Sequence, residues 1–400
     1  MLSLFIVNSV KGMKNMLRYL SAGESHGKGL VAIIEGLPSN IPIDINIINE
    51  DLRRRQQGYG RGNRMKIEKD RVEIITGVRD GKTLGSPLTI MIENIDYKNW
   101  TNIMGLEKLE GEQNHIKEPR PGHGDLVGAL KYNHMDIRNV IERASARETA
   151  IRTAVGSIAK QFLSIFNIEI LGHVISIGQV NYRFCQKDIF NYKNRIDESP
   201  VRCIDTNVEV EMIQEIEMAK QTGDSLGGSF EVVIRNVPVG LGSYAHFDRK
   251  LDGILAQGIM GLQGIKAVEI GDGIDGSSKA GSRFHDEIGY SEVQGYYRNT
   301  NRAGGIEAGV SNGEDIIIRG YMKPIPTLTK PLKTVNMLTK KEKEAIVERS
   351  DNCAVPAASV VAEGICAFII AMEMVEKFGG DSIEEMLSNY KRYIDYLRSR

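Results

Sequence analysis

The 400-residue chain sets 51 Lys and Arg against 52 Asp and Glu, a formal charge of -1 that excludes a broad nucleic-acid-binding surface and makes any basic patch local. Its four cysteines, Cys185, Cys203, Cys353 and Cys366, form no CxxC pair and no zinc spacing, so they read as reduced thiols of a cytoplasmic protein. The longest apolar stretch, residues 354–375, contains Pro356, Glu363 and Glu373 and reads as a buried core helix, not a membrane span.

Residues 1–15 hold the apolar run LSLFIV with no basic region before it and no cleavage site after it, so they read as a disordered extension and not a signal peptide. Residues 17–22 and 30–36 read as strands flanking the loop GESHG, where His26 is framed by glycines. Residues 46–57 read as a helix with Glu50 and Asp51 early and Arg53, Arg54 and Arg55 late, the order its dipole favours. The run RRRQQGYGRGNR, residues 53–64, then packs five arginines among three glycines. On a neutral protein such a cluster suits a small polyanion. It is no dinucleotide fingerprint, because a helix precedes the glycines and a strand, 71–76, follows. Residues 87–93 are also β-rich, and 96–118 form a polar connection.

Residues 120–150 stand out as the working centre. Pro121, Gly122, His123 and Gly124 make a tight turn that presents one imidazole, and Ser145-Ala-Arg-Glu148 has the form of a capping box in which Ser145 and Glu148 exchange hydrogen bonds. Ile151, Val155, Ile158 and Phe162 then recur at helical spacing to about Phe166. With Arg143 and Arg147 beside its start, free amides and guanidinium groups converge where a phosphate or carboxylate would be attracted. Each feature taken alone also has a plain structural reading: a cap, a solvated arginine, a packed histidine.

Downstream come a strand at 168–177, a polar surface insertion at 181–207, a helix at 208–222, a strand at 228–237, a helix at 252–262 and a strand at 266–270. The last runs into GDGIDGSSKAGS, a weak candidate loop for phosphate or metal. Residues 306–310 and 315–321 read as a hairpin around Asn312-Gly313, residues 323–331 are stiffened by proline, and Pro356 suits the first turn of the buried helix. No linker or composition shift divides residues 16–400, which read as one domain.

Together and in this order, GESHG, RRxxGYGRG, RPGHGD, RASARET, KPIPT and RSDxCAVPAA resemble the chorismate synthase family, from about Met16 to the C-terminal helix. The resemblance implies an α+β fold, a β-α-β sandwich with helices between two antiparallel sheets, assembled as a homotetramer. It implies anti-1,4-elimination of phosphate from 5-enolpyruvylshikimate 3-phosphate to give chorismate, the last common step of aromatic amino acid biosynthesis, with reduced FMN. Carried over residue by residue, His26 would protonate the leaving phosphate and His123 would keep the reduced flavin in its working protonation state. Asp351 would help take the substrate proton through flavin N5, with Ser25 and Ser145 as orienting hydroxyls. FMN contacts would come from Arg143, Ala144, Ser145, Gln263, Gly264, Ala308, Lys323, Pro324, Ile325, Pro326, Thr327 and Arg349. Arg55 and Arg61 resemble the family's NADP positions, with NADPH as a reductant. The chain offers no nucleotide fold, so they and Arg147 are expected around the substrate. Ala144 stands where the family often has Ser, Gly124 where Ala is common, and Ala308 where Gly is frequent. Two rivals remain: an NADPH-dependent flavin reductase, and a non-catalytic phosphometabolite-binding protein, which would need the arginines but neither histidine.

Overall fold

A computed structural model describes residues 17–62, 67–107, 115–182, 188–347 and 351–400. The expected extension at 1–15, Cys185 and Arg349 lie outside the described residues. In chain order the main elements are β1 (Arg18–Ala22), β2 (Gly29–Glu35), α1 (Ile45–Gln56), β3 (Val72–Thr76), β4 (Leu88–Glu93), α2 (Asp125–Tyr132), α3 (Arg138–Ala144) and α4 (Thr149–Ser164). There follow β5 (Glu169–Ile177), β6 (Val180–Asn181), α5 (Thr206–Thr222), β7 (Gly228–Arg235), α6 (Leu251–Met260), β8 (Ile265–Ile270), β9 (Ile316–Met322), α7 (Val355–Phe378) and α8 (Ile383–Arg398).

Strand alternation builds the outer layers. Leu30, Ala32 and Ile34 of β2 and Leu88, Ile90 and Ile92 of β4 are buried, so every second residue faces inward. Antiparallel β1-β2-β4-β3 form one sheet and antiparallel β8-β9-β7-β5-β6 the other. Helix α4 lies on the first sheet, α7 on the second, and α1 and α6 share their layer. This is the α+β sandwich, helices between two antiparallel sheets. Helix α7 is apolar all round because it is covered all round. Pro356 sits in its first turn, where a missing N–H costs nothing.

The layer closes at a backbone contact. A Cβ on Gly156 of α4 would stand 2.2 Å from Gly364 Cα on α7, so only hydrogen fits there. Beside that crossing, Glu363 is wholly buried and accepts from Arg54 Nη1 and Nη2 (2.7 and 2.8 Å), Lys160 Nζ (3.0 Å), Arg202 Nη2 (3.1 Å) and the Gly172 amide (2.9 Å).

Two local expectations fail. The tight turn falls at Ala308-Gly309, where Ile306–Glu307 pairs with Val310–Ser311, while β9 pairs with β7 and β8. Asn312 instead spends its side chain on Glu307 and the Glu314 amide, so Asn312-Gly313 does not turn the hairpin. Ala308 holds φ of 50° and Gly309 86°, the pair of positive values a two-residue hairpin demands. Residues 181–207 are no surface insertion in their described part. Ile189, Ile196, Val201 and Cys203 are buried with Met212 and Ile216 of α5 in a second core on the outer face of β5 and β7. The GDGIDGSSKAGS loop is taken up by two one-turn helices, Gly273–Gly276 and Gly281–Phe284. Cys203, Cys353 and Cys366 are free and buried, and burial pushes the Cys353 thiol up to about 12.

Gly156→Ala is expected to cost about 2 kcal/mol or more, because helix backbones must separate. Gly364→Ala should cost less, since its Cβ would meet Gly156 Cα at 3.3 Å. Urea unfolding of the two variants checks the order, and equal losses would contradict the crossing geometry.

Candidate active site

The loop between β1 and β2 carries Ser25 and His26 onto α3. The Ser25 amide donates to the Glu142 carbonyl at 3.0 Å, and the His26 amide donates to Glu142 Oε2 at 2.7 Å. His26 Nδ1 lies 3.0 and 3.1 Å from the two oxygens of the same carboxylate. Burial raises the Glu142 carboxyl, but its bonds to His26 outweigh burial and hold it below the usual range. On its other side the His26 ring stacks on Trp100, centroids 3.8 Å apart.

The RPGHGD turn is built the same way. Asp125, fully buried in the first turn of α2, accepts from the Arg120 amide and Nε (3.0 and 2.9 Å) and from His123 Nδ1 at 2.5 Å. Arg120 Nη1 donates to Thr327 Oγ1 at 2.9 Å, and Lys323 Nζ donates to the Gly122 carbonyl. Lys323, Pro324, Ile325, Pro326 and Thr327 thereby lie along the His123 turn. A Cβ built on Gly124 would stand 3.7 Å from Ala144 Cβ, and Ser145 Oγ donates to Ser25 Oγ at 3.2 Å, so Ala144 and Ser145 stand between the two histidine loops.

The capping box does not close. Ala146–Glu148 is a 3-10 turn in which Ser145 Oγ accepts from the Arg147 amide at 3.3 Å. Glu148 is drawn away to Ser21 Oγ, Arg152 Nε and Gln263 Nε2. Nor do Arg143 and Arg147 converge. Arg143 donates to the Gly23 and Ser21 carbonyls, whereas Arg147 is buried against Asp70 Oδ1 (2.5 Å) and Asn94 Oδ1 (2.9 Å).

Arg55, Arg61 and Arg147 do meet, but each already has a carboxylate. Arg55 donates to Asp70 (3.3 Å), Thr149 Oγ1 (3.0 Å) and the Ala146 carbonyl (3.1 Å), while Arg61 Nη1 pairs with Asp351 Oδ2 at 2.8 Å. Asp351 Oδ1 also accepts from the Gly62 amide at 2.6 Å. Burial pushes the Arg55 guanidinium down to about 9, and the charges of Arg61 and Arg147 push the same way against Asp70 and Asp351. It stays cationic at neutral pH, in surroundings that an added anion would improve.

Gln263 and Gly264, next to Lys323 through the Lys323 amide to Gly264 carbonyl bond of 2.9 Å, complete the described lining. Ala308 sits in the two-residue turn between Glu307 and Val310. Its turn is tied by the Gly309 carbonyl to the amide of Leu251 at the start of α6, and Gln263 follows the far end of that helix. Glu142, Asp125, Arg120, Asp70 and Trp100 were missed from sequence. Arg120 and Asp125 left a signal, since they open and close the motif that carries His123.

Comparison with known proteins decides the family. The sequence profile described as Chorismate synthase matches residues 17–375. The chain belongs to the chorismate synthase family. The chorismate synthase of Alkaliphilus oremlandii (strain OhILAs) is 76% identical over 385 residues, covering 96% of this chain and 100% of that one. That of Alkaliphilus metalliredigens (strain QYMF) is 57% identical over 378 residues, covering 94% and 99%. A crystal structure of chorismate synthase matches with a TM-score of 0.79 at 41% identity, over 96% of this chain and 99% of that one. The chorismate synthase fold thus holds across both sheets and the helical layer.

The Asp125 cluster gives a pH test. Burial raises its carboxyl, but the bonds from His123 and Arg120 outweigh burial and hold it well below the usual range. A depressed folded value contributes stability that is complete above the unfolded value of about 3.9 and lost as pH falls below it. Asp125→Asn is therefore expected to be less stable than wild type at neutral pH, with the gap narrowing below about pH 4. Denaturant unfolding at several pH values reads this directly, and a gap independent of pH would refute it.

Proposed function

We propose that this chain catalyses the anti-1,4-elimination of phosphate from 5-enolpyruvylshikimate 3-phosphate to give chorismate, with reduced FMN, as a carbon-oxygen lyase of aromatic amino acid biosynthesis. The observation that carries this beyond family membership is the meeting of two glycine-framed histidines, each with Nδ1 on a buried carboxylate, around Ala144 and Ser145.

The lining fits a flavin phosphate. Gln263 Oε1 is buried without a hydrogen-bond partner, which suits the N–H edge of a polar ring system, and the Lys323 ammonium suits a phosphate. Ala144, Ser145, Gln263, Gly264 and the segment from Lys323 to Thr327 would hold the group. Arg143 adds its charge at the Ser21 carbonyl. When bound in its reduced form, FMN supplies electron density that an unactivated C–H bond and side-chain bases lack.

The chain's own residues supply the proton chemistry and the charge. Arg61, at the edge of the arginine cluster, receives the phosphate and carboxylates of the substrate, in the field of the buried Arg55 and Arg147. His26 Nε2 gives a proton to the departing phosphate, with Ser25 and Ser145 orienting it. His123, braced by Asp125 and Arg120, holds the proton balance beside the cofactor segment. Asp351, released from Arg61 as the anion binds, assists removal of the substrate proton. Assembly as a homotetramer suits the outer face of the first sheet, where Leu20 (74% exposed) pairs with Ile33 (44%).

The test is anaerobic chorismate formation with chemically reduced FMN. Loss of either imidazole, in His26→Ala or His123→Ala, is expected to lower turnover by about 10² to 10⁴ with folding retained. Near-normal turnover in both would remove the histidines from the chemistry, and NADPH oxidation without substrate would favour a flavin reductase.

Arg61→Ala is expected to weaken substrate binding by roughly tenfold to a hundredfold, with Lys restoring part of it. Arg147→Ala should instead fail mainly in stability, by about 3 to 5 kcal/mol, because it strips a buried partner from Asp70. Titrating substrate into the anaerobic FMN complex, alongside thermal unfolding, separates the two. Unchanged affinity in Arg61→Ala would end its anion-binding role.

A further inference from the structure

We propose that Glu142 is the positioning residue of His26: it takes the proton-bearing Nδ1, so that Nε2 is the atom left to serve the departing phosphate, and Trp100 keeps the ring in plane. The proposal rests on the reading of His26 as proton donor given above.

Three hydrogen-bond contacts join the two residues, and the Ser25 amide adds a fourth to the Glu142 backbone, so loop and side chain are anchored to the same turn of α3. The Glu142 side chain is 1% exposed and that of His26 17%, which leaves water little chance to compete for the carboxylate while part of the ring remains accessible. An ionised carboxylate only accepts, so Nδ1 carries hydrogen in both the neutral and the charged ring, and the two states differ at Nε2. In the transfer step the Nε2–H bond breaks, the phosphate oxygen takes the proton, and the electron pair stays on Nε2. Glu142 keeps its charge throughout.

Other charges near the ring are weaker partners. Arg138 Nη1 is 3.5 Å from Glu142 Oε1, and its guanidinium carbon lies 5.3 Å from the Trp100 ring centroid. The Trp100 indole N–H donates to Asp96 Oδ2 at 3.2 Å, which holds the stacking surface at its edge. Glu142 is thus the one carboxylate bonded to the ring among the described residues. Removing its charge removes an attraction that favours the imidazolium.

The chain supplies its own reporter, because Trp100 is its only tryptophan. An imidazolium stacked on indole quenches emission more strongly than neutral imidazole does. Fluorescence of the full chain, titrated from about pH 8 to about pH 5, should therefore show a quenching transition that His26→Gln abolishes. In Glu142→Gln, whose amide can still accept, the transition is expected to move to lower pH. The same variant should lose roughly tenfold to a hundredfold in kcat with reduced FMN, at a KM within about threefold of wild type.

Absence of quenching in the wild type, a midpoint unmoved by Glu142→Gln, or an unchanged kcat in that variant each overturns the proposal. If the midpoint moves but His26→Gln retains full turnover, the positioning stands and the proton-donor reading falls. Should Glu142→Gln fail to fold, Glu142→Asp decides. It keeps the charge but draws it back by one methylene, so a partial loss of kcat supports the proposal and wild-type kcat counts against it.

Discussion

A fully buried carboxylate in the most buried helix is the constraint on which the remaining structure depends. Glu363 has no access to water, and an ion there is tolerated only if paired and fully hydrogen-bonded. Burial raises its carboxyl, and Arg54, Lys160 and Arg202 more than reverse this, holding it below the usual range. The donors arrive from α1, from α4, from the Gly172 amide of β5 and from the loop before α5. One side chain therefore fixes how four segments meet, directly beside the Gly156–Gly364 crossing where no side chain fits.

That constraint reaches the site through consecutive residues. Arg54 turns into the core toward Glu363, and Arg55, one helical step of about 100° further round α1, turns toward Asp70 and Thr149. Asp70 receives Arg147 as well, Arg147 Nε donates to Asn94 Oδ1, and Asn94 Nδ2 donates to the carbonyls of Glu24 and Gly27. A continuous run of hydrogen bonds thus links the helical core to the two ends of the His26 loop. Rotation of α1 about its axis would be felt at that loop, which ties the precision of the site to the packing of the sandwich.

The charges of the site are balanced before any ligand is considered. Arg61 rests on Asp351, Arg55 and Arg147 share Asp70, and each histidine leans on a buried carboxylate. Three guanidinium groups so close would repel without these anions. The same pairing means an incoming phosphate or carboxylate must exchange with an internal partner. The half-buried edge at Arg61 is where that exchange is least costly, since Arg55 and Arg147 are 3% and 4% exposed.

Most secondary structure was legible in the sequence, because periodicity and caps act over a few residues. Strand alternation in β2 and β4, the apolar stripe of α4, Pro356 at the start of α7 and the late arginines of α1 all stand where the local pattern puts them. The six motifs were likewise sufficient for the family. The capping box at Ser145 and Glu148 failed for the opposite reason: Glu148 found Ser21 and Gln263, distant in the chain, and the helix start tightened into a 3-10 turn. Asn312-Gly313 lost its turn to Ala308-Gly309 because Asn312 was claimed by Glu307. The sequence by itself therefore determined which elements form and which chemical groups are available. Only the tertiary structure decided the partners of those groups. Arg54 and Glu363 are 309 residues apart, and no local pattern encodes a hydrogen bond whose energy depends on both ends being brought together and dried at once.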